Sequence, residues 1–189
     1  MITAVATLKS VSAYGQSRNY EMDVPKIEKE SAKDREERTW RNRLHVTDDG
    51  KVFIPPMSFK NCISEAAKFL GQQIPGKGKS TYTKHFEAGI LIDPIPIVLD
   101  IEAKDVDGKW LFVPASGRRG DGKRVWKCFP VMQEWSAVVT FRIVDETITR
   151  DVFRYHLEQA GKFIGIGFFR PRNNGFYGRF AVEKLVWDA

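Results

Sequence analysis

The period of the apolar positions changes several times along the chain, and each change predicts an element. Residues 3–12 alternate as a strand with one buried face does. Residues 24–43 are dense in charges of both signs and predict an exposed insertion whose ions pair internally or meet another protein. Residues 51–54 predict a short strand. Beyond it Ser58 offers a cap, and Phe59, Ile63, Ala66, Ala67 and Leu70 recur at helical spacing until Gly71. Residues 72–85 read as a basic loop, and 86–92 and 95–103 as strands divided by Asp93-Pro94. An Asp107-Gly108 turn, a strand over 110–114 and a basic loop over 117–127 follow. The clearest strand is 134–144, with Trp135, Ala137, Val139, Phe141 and Ile143 on one face. Thr149 caps a second helix whose apolar side is Val152, Phe153, His156, Leu157 and Ala160, with Gly161 at its end. Residues 178–187 close the chain as a strand carrying Phe180, Val182, Leu185 and Val186.

Stripped of insertions, the order is strand, helix, strand, strand, helix, strand. That is an α+β arrangement with the ferredoxin-like, RRM-like βαββαβ core. At 189 residues and 42% hydrophobic the chain is long enough for one sizeable core. The expectation is a single RRM-like domain over 1–189, with basic loop and hairpin insertions at about 24–45, 72–85 and 105–130.

Charge sharpens this picture. A formal net charge of +6 favours a polyanionic partner, and the cations are clustered. Residues 117–127 carry five, Arg118, Arg119, Lys123, Arg124 and Lys127, against the one acid Asp121. Residues 68–84 carry four lysines, Lys77 and Lys79 among them, and no acid. The segment 165–180 holds four glycines, three arginines and five aromatics without a carboxylate. Glycines let a backbone approach a phosphate and aim N–H groups at it, arginines add forked donors, and aromatic faces receive bases. Candidate nucleic-acid contacts there are Phe169, Arg170, Arg172, Phe176, Tyr177 and Arg179, crowded cations that would otherwise lack partners. Arg118, Arg119, Lys123, Arg124 and Trp126 form a second candidate group, and Lys77 and Lys79 a mobile arm. Trp40, Arg41 and Arg43 are the part of the charged insertion with nucleic-acid character. Lys60, in the first turns of a helix where cations are disfavoured, is a further candidate.

Two segments resemble a known family. The run Phe53-Ile54-Pro55-Pro56-Met57-Ser58-Phe59-Lys60 is similar to the Ile-Pro-Gly-Ser-Ser-Leu-Lys-Gly run that precedes the first helix in the CRISPR-associated RAMP superfamily, with Pro56 and Asn61 standing where that pattern has glycines. The glycine-rich segment sits where the superfamily keeps its signature loop. The resemblance implies an RNA-recognition-type fold that binds a guide RNA or another single strand, like the backbone subunits of RNA-guided surveillance complexes. It also implies self-association or docking on related subunits, with the insertions touching strand and neighbour. The chain is short for that role, which leaves room for a stand-alone or viral relative.

Catalytic chemistry finds little to use. His156 falls on an apolar helix face, and His85, at the mouth of a basic loop, is the one candidate for a metal-independent ribonuclease. No Walker loop, nucleotide fingerprint or nucleophile elbow occurs. Cys62 and Cys128 lie far apart without a CxxC, which suggests two reduced thiols and no zinc site. The first residues lack the pattern of a signal peptide and no apolar run is long enough to span a membrane, so a cytoplasmic protein without cofactor or metal is expected. The leading expectation is a non-enzymatic protein that binds single-stranded RNA in a CRISPR-type ribonucleoprotein. A viral single-stranded-DNA-binding or annealing protein, and a protein decoy or inhibitor of a surveillance complex, are the alternatives.

Overall fold

In the computed structural model, which describes residues 1–20, 24–117, 120 and 122–188, the main sheet is organised around the first strand. Strand β1 (Ile2–Ser10) buries Ala4, Ala6 and Leu8 and turns Thr3, Val5 and Thr7 the other way, as its alternation predicts. The remaining elements are β2 (Tyr14–Gly15), α1 (Ala32–Thr39), β3 (Lys51–Ile54), α2 (Pro56–Leu70), α3 (Thr83–Gly89), β4 (Ile90–Ile92), β5 (Ile97–Glu102), β6 (Asp107–Pro114), β7 (Arg124–Met132), β8 (Ser136–Ile143), α4 (Arg150–Gln159) and β9 (Phe180–Asp188). The main sheet has the order β4-β8-β1-β9 with every pairing antiparallel. Helix α2 lies in the chain between β1 and β4, and α4 between β8 and β9. The class is α+β, as the sequence predicts.

Register explains the packing. Ala4 lies opposite Phe141, Ala6 opposite Val139 and Leu8 opposite Ala137, so small and large side chains alternate across the buried face. Phe59 of α2 meets Phe180 edge-on at 5.8 Å, and Phe153 of α4 meets Phe141 at 5.3 Å. Each such fully buried ring contributes about 1.5–3 kcal/mol. Near its middle β9 changes parity: Thr7 pairs with Lys184 and Leu8 with Val182, so Glu183 bulges out. The apolar positions Phe180 and Val182 are thereby followed by Leu185, an odd step that the sequence already shows.

Several boundaries differ from expectation. Helix α2 starts at Pro56, whose fixed φ suits the first helical position, and Ser58 lies inside its first turn rather than capping it. Gly71 ends it in the left-handed conformation at φ 56°. Residues 83–89, expected as loop and strand, form α3, because Phe86 reaches the core and stacks on His156 at 4.2 Å. Gly161 does not end the second helix. The chain continues through a π-helical turn, 160–164, in which a β-carbon on Gly161 would fall 2.1 Å from the Phe180 carbonyl oxygen. Asp107 and Gly108 open β6 instead of making a turn, and Trp126 and Lys127 lie on β7 rather than in a loop.

Strands β6 and β7 form a hairpin that β2 extends in the order β2-β7-β6, and β3 pairs with β5 in a separate ribbon. The charged insertion contains α1, capped by Ser31, and a 3₁₀ turn over 40–43. It docks on the hairpin through a buried ion pair. Glu36 accepts the Cys128 N–H at 2.7 Å and Arg43 donates to the Cys128 carbonyl at 3.0 Å, with 2.7 Å between the two charged groups. Among the described residues no helix is long and apolar enough to cross a membrane.

Candidate nucleic-acid interface

The glycine-rich segment folds on itself and against the connection that follows β1. Gly165, Gly167 and Gly178 have positive φ, and a β-carbon on Gly178 would come 1.9 Å from the Ile166 carbonyl oxygen. Three of the segment's four glycine amides are occupied: Gly178 N–H donates to the Ala13 carbonyl, Gly175 N–H to that of Arg170 and Gly165 N–H to that of Ala160. For these three the expectation of N–H groups aimed at a phosphate is therefore corrected. They make a tight turn, and what the segment offers outward is side chains.

Those side chains divide. Phe168 stacks on Phe129 of β7 at 4.6 Å, which fixes the loop against the hairpin. Tyr177 is buried beside Phe168 and Phe176, and burial pushes its hydroxyl pKa up. Phe169 and Phe176 remain 43% and 62% exposed. The arginines are not partnerless. Arg170 and Arg172 both donate to Glu65 of α2, at 2.8 and 3.1 Å, and Arg179 donates to the Lys162 carbonyl at 3.2 Å. Two guanidiniums sharing one carboxylate still leave the locality cationic.

An open groove of about 640 Å³ separates the hairpin from this loop. Its lining includes Lys127 and Phe129 from β7, Arg43 from the charged insertion, and Phe169, Arg172, Asn173 and Asn174 from the loop. On the hairpin the rings of Phe112 and Trp126, opposite one another across the strands, lie 5.4 Å apart. Arg124 sits 5.3 Å over Phe112 and donates to its carbonyl, and Trp126 is 61% exposed. Strand alternation turns Phe112, Trp126 and Arg124 to one face and Lys127 and Phe129 to the other. The sequence reading passed over Phe112; its place across the ladder from Trp126 is the signal that finds it.

Other expected contacts are placed elsewhere. Trp40 is buried against Gly108 with Arg41 stacked 4.1 Å over its ring, so Trp40 offers no free surface group. Arg43, by contrast, does line the groove, but almost all of it is buried in its pair with Glu36. Lys60 turns inward and donates to the Phe86 and Glu87 carbonyls at 2.7 and 3.0 Å, closing the last turn of α3. Burial lowers its pKa. Lys77 and Lys79 lie in an exposed loop closed by a bridge between Gln73 and Thr81, and neither lines the groove. Lys123 stands just before β7, near the hairpin end, while Arg118 and Arg119 lie outside the described residues.

The polar groups suited to catalysis are away from the groove. His156 is buried; its Nδ1 donates to the Val152 carbonyl at 2.7 Å, its Nε2 has no hydrogen-bond partner among the described residues, and burial lowers its pKa, which favours the neutral ring. His85 Nδ1 lies 2.6 Å from Asp145, which also accepts the Thr147 N–H at 2.8 Å. Burial pushes the thiols of Cys62 and Cys128 up to about 12 and about 11, away from thiolate chemistry. No group of three or more metal-ligating side chains occurs among the described residues.

No known protein family matches the chain, and no curated protein matches it. Among solved structures it is similar to Cmr6 from Pyrococcus furiosus, at 11% identity over 96% of this chain and 99% of that one, with a TM-score of 0.49. It is also similar to a chain of a CRISPR RNA-guided surveillance complex, at 8% identity over 98% of this chain and 68% of that one, with a TM-score of 0.39. Likenesses at this level carry no functional residue over to this chain.

Proposed function

We propose that the protein binds single-stranded nucleic acid, RNA in preference to DNA, and works as a guide-RNA-binding, non-catalytic subunit of a CRISPR-type ribonucleoprotein. The strand is held by backbone contact and stacking rather than by reading of base edges. The observation that carries this reading is the groove in which Lys127 on the hairpin faces Arg172 on the glycine-rich loop, with Phe169 exposed and the amides of Asn173 and Asn174 beside them. Cations on two elements, an aromatic face and polar side chains, with no carboxylate among the described lining residues, suit a phosphate chain with attached bases. The two segments that resemble the RAMP superfamily border this region, since one leads into α2, which supplies Glu65, and the other is the loop itself. Related subunits or further copies of the chain are the protein partners this reading implies.

Fluorescence anisotropy with a labelled ~30-mer tests it. Micromolar or tighter binding at low salt is expected, with log K falling against log salt at about 0.7 per phosphate contact. Matched RNA and DNA strands in competition decide the sugar, and preference for DNA would move the reading to a single-stranded-DNA-binding or annealing protein. Absence of binding at low salt would remove it altogether.

A further inference from the structure

Where α2 ends, two phenylalanines stand open to solvent against each other. Phe69 is 52% exposed and Phe163, in the π-helical turn, 48%, with ring centroids 5.7 Å apart. Neither belongs to the buried stripe of its own helix. Arg172 connects them to the groove: its guanidinium lies 5.8 Å from the Phe69 ring centroid and is held by Glu65, and the same side chain lines the groove beside Phe169. Each exposed ring also follows an exposed lysine, Lys68 and Lys162. The result is an aromatic step edged by cations, continuous with the groove through one shared arginine.

We infer that Phe69, Phe163 and Arg172 form a second stacking subsite, which receives an unpaired base of the same single strand after it leaves the groove. The inference rests on the function proposed above and extends it. A nucleotide brings a flat apolar face and a phosphate within one unit, which is the pairing that exposed rings beside Lys68, Lys162 and Arg172 call for. A protein partner would have to bring an aromatic or aliphatic anchor together with a separate carboxylate for each cation.

The experiment compares wild type, the double variant Phe69→Ala with Phe163→Ala, and Phe69→Trp with Phe163→Trp, on a base-bearing 30-mer and on an abasic strand of equal length. Circular dichroism checks the fold of each, and these exposed positions should leave it unchanged. The alanine pair is expected to weaken binding to the base-bearing strand about tenfold or more with the same salt slope, and the tryptophan pair to retain wild-type affinity. Both variants should match wild type on the abasic strand. If wild type binds and the alanine pair binds the base-bearing strand equally well, the subsite is overturned while the groove reading survives. If wild type binds neither strand, the groove reading fails and takes the subsite with it. Loss of self-association without loss of strand affinity would make the rings a protein contact and would also overturn the proposal.

Discussion

The groove face of the β6–β7 hairpin is bordered by two cationic groups among aromatic rings, and the two have opposite fates. Toward α1, Arg43 stands 5.1 Å from the Tyr20 ring and 5.2 Å from the Phe129 ring, but Glu36 meets it and both are almost wholly buried. Toward the glycine-rich loop, Lys127 and Arg172 line the open part of the same groove, and the carboxylate that meets Arg172, on Glu65, also serves Arg170. The same residue types therefore make a structural weld in one place and an available surface in the other. What separates them is a dedicated carboxylate, together with exclusion of water.

The sharpest way to break this comparison is to take the carboxylate from the closed side. Glu36→Ala leaves Arg43 buried without its partner and leaves the Cys128 N–H unsatisfied, and is expected to cost about 3–5 kcal/mol in urea or thermal unfolding. Strand affinity per folded molecule should stay the same. An increase in affinity would mean that Arg43 is a masked phosphate ligand and that the two sides are not different in kind.

The open side should respond in the reverse sense. Lys127→Ala with Arg172→Ala is expected to reduce the salt-dependence slope by about 1.4, two contacts at about 0.7 each, and to weaken binding more than tenfold at moderate salt. The unfolding midpoint should shift little, since Arg172 is half-exposed and partly exposed ion pairs contribute about 0–1 kcal/mol. A large loss of stability with an unchanged slope would show these cations to be structural after all.

These two clusters also show what was legible in the sequence. The fold was readable because its pattern is local: alternation placed β1 and β8, and Thr149 marked the start of α4, whereas the bulge in β9 emerged only from its pairing with β1. The charged insertion was legible in part: its ions pair internally, as expected, Arg38 with Glu30 and Arg43 with Glu36, but nothing near Arg43 in the sequence says that the backbone of Cys128 will meet both members of the second pair. Phe86 was misread as strand because its helical place depends on His156, seventy residues away in the chain. The site was half legible. The glycine-rich segment was found by composition, but that three of its glycine amides are consumed internally, and that Phe112 and Phe69 stand beside the cations, are facts of tertiary structure.

The rule that a buried ionisable group takes the form its surroundings allow extends the comparison to His156. Its pKa is lowered by burial, so the unfolded chain binds a proton more readily than the native one. Stability should therefore be fully present above the ordinary histidine value near 6.5 and fall as pH drops below it, by at most about 1.4 kcal/mol per pH unit from this group. His45, whose pKa burial and Arg18 also lower, adds to the same trend. Unfolding midpoints measured between pH 7.5 and 5 check this, and His156→Gln should flatten the curve. An unchanged slope in that variant would assign the effect to His45.

The smallest expected effect tests the shared carboxylate itself. Glu65 accepts from Arg170 and Arg172 at the edge of the groove, with side chains 26% and 47% exposed, so the pair is screened and contributes little to stability. It does, however, compete with a phosphate for the same two guanidiniums. Glu65→Gln keeps an acceptor in place while removing the charge, and should tighten strand binding a few-fold at low salt, with a midpoint shift equivalent to about 1 kcal/mol or less. The gain should shrink as salt rises, because the released arginines act through phosphate contacts that counterions screen. If Glu65→Gln instead weakened binding, the carboxylate would be the element that aims Arg172 into the groove, and the open side would owe its geometry to the same kind of ion pair that closes the other.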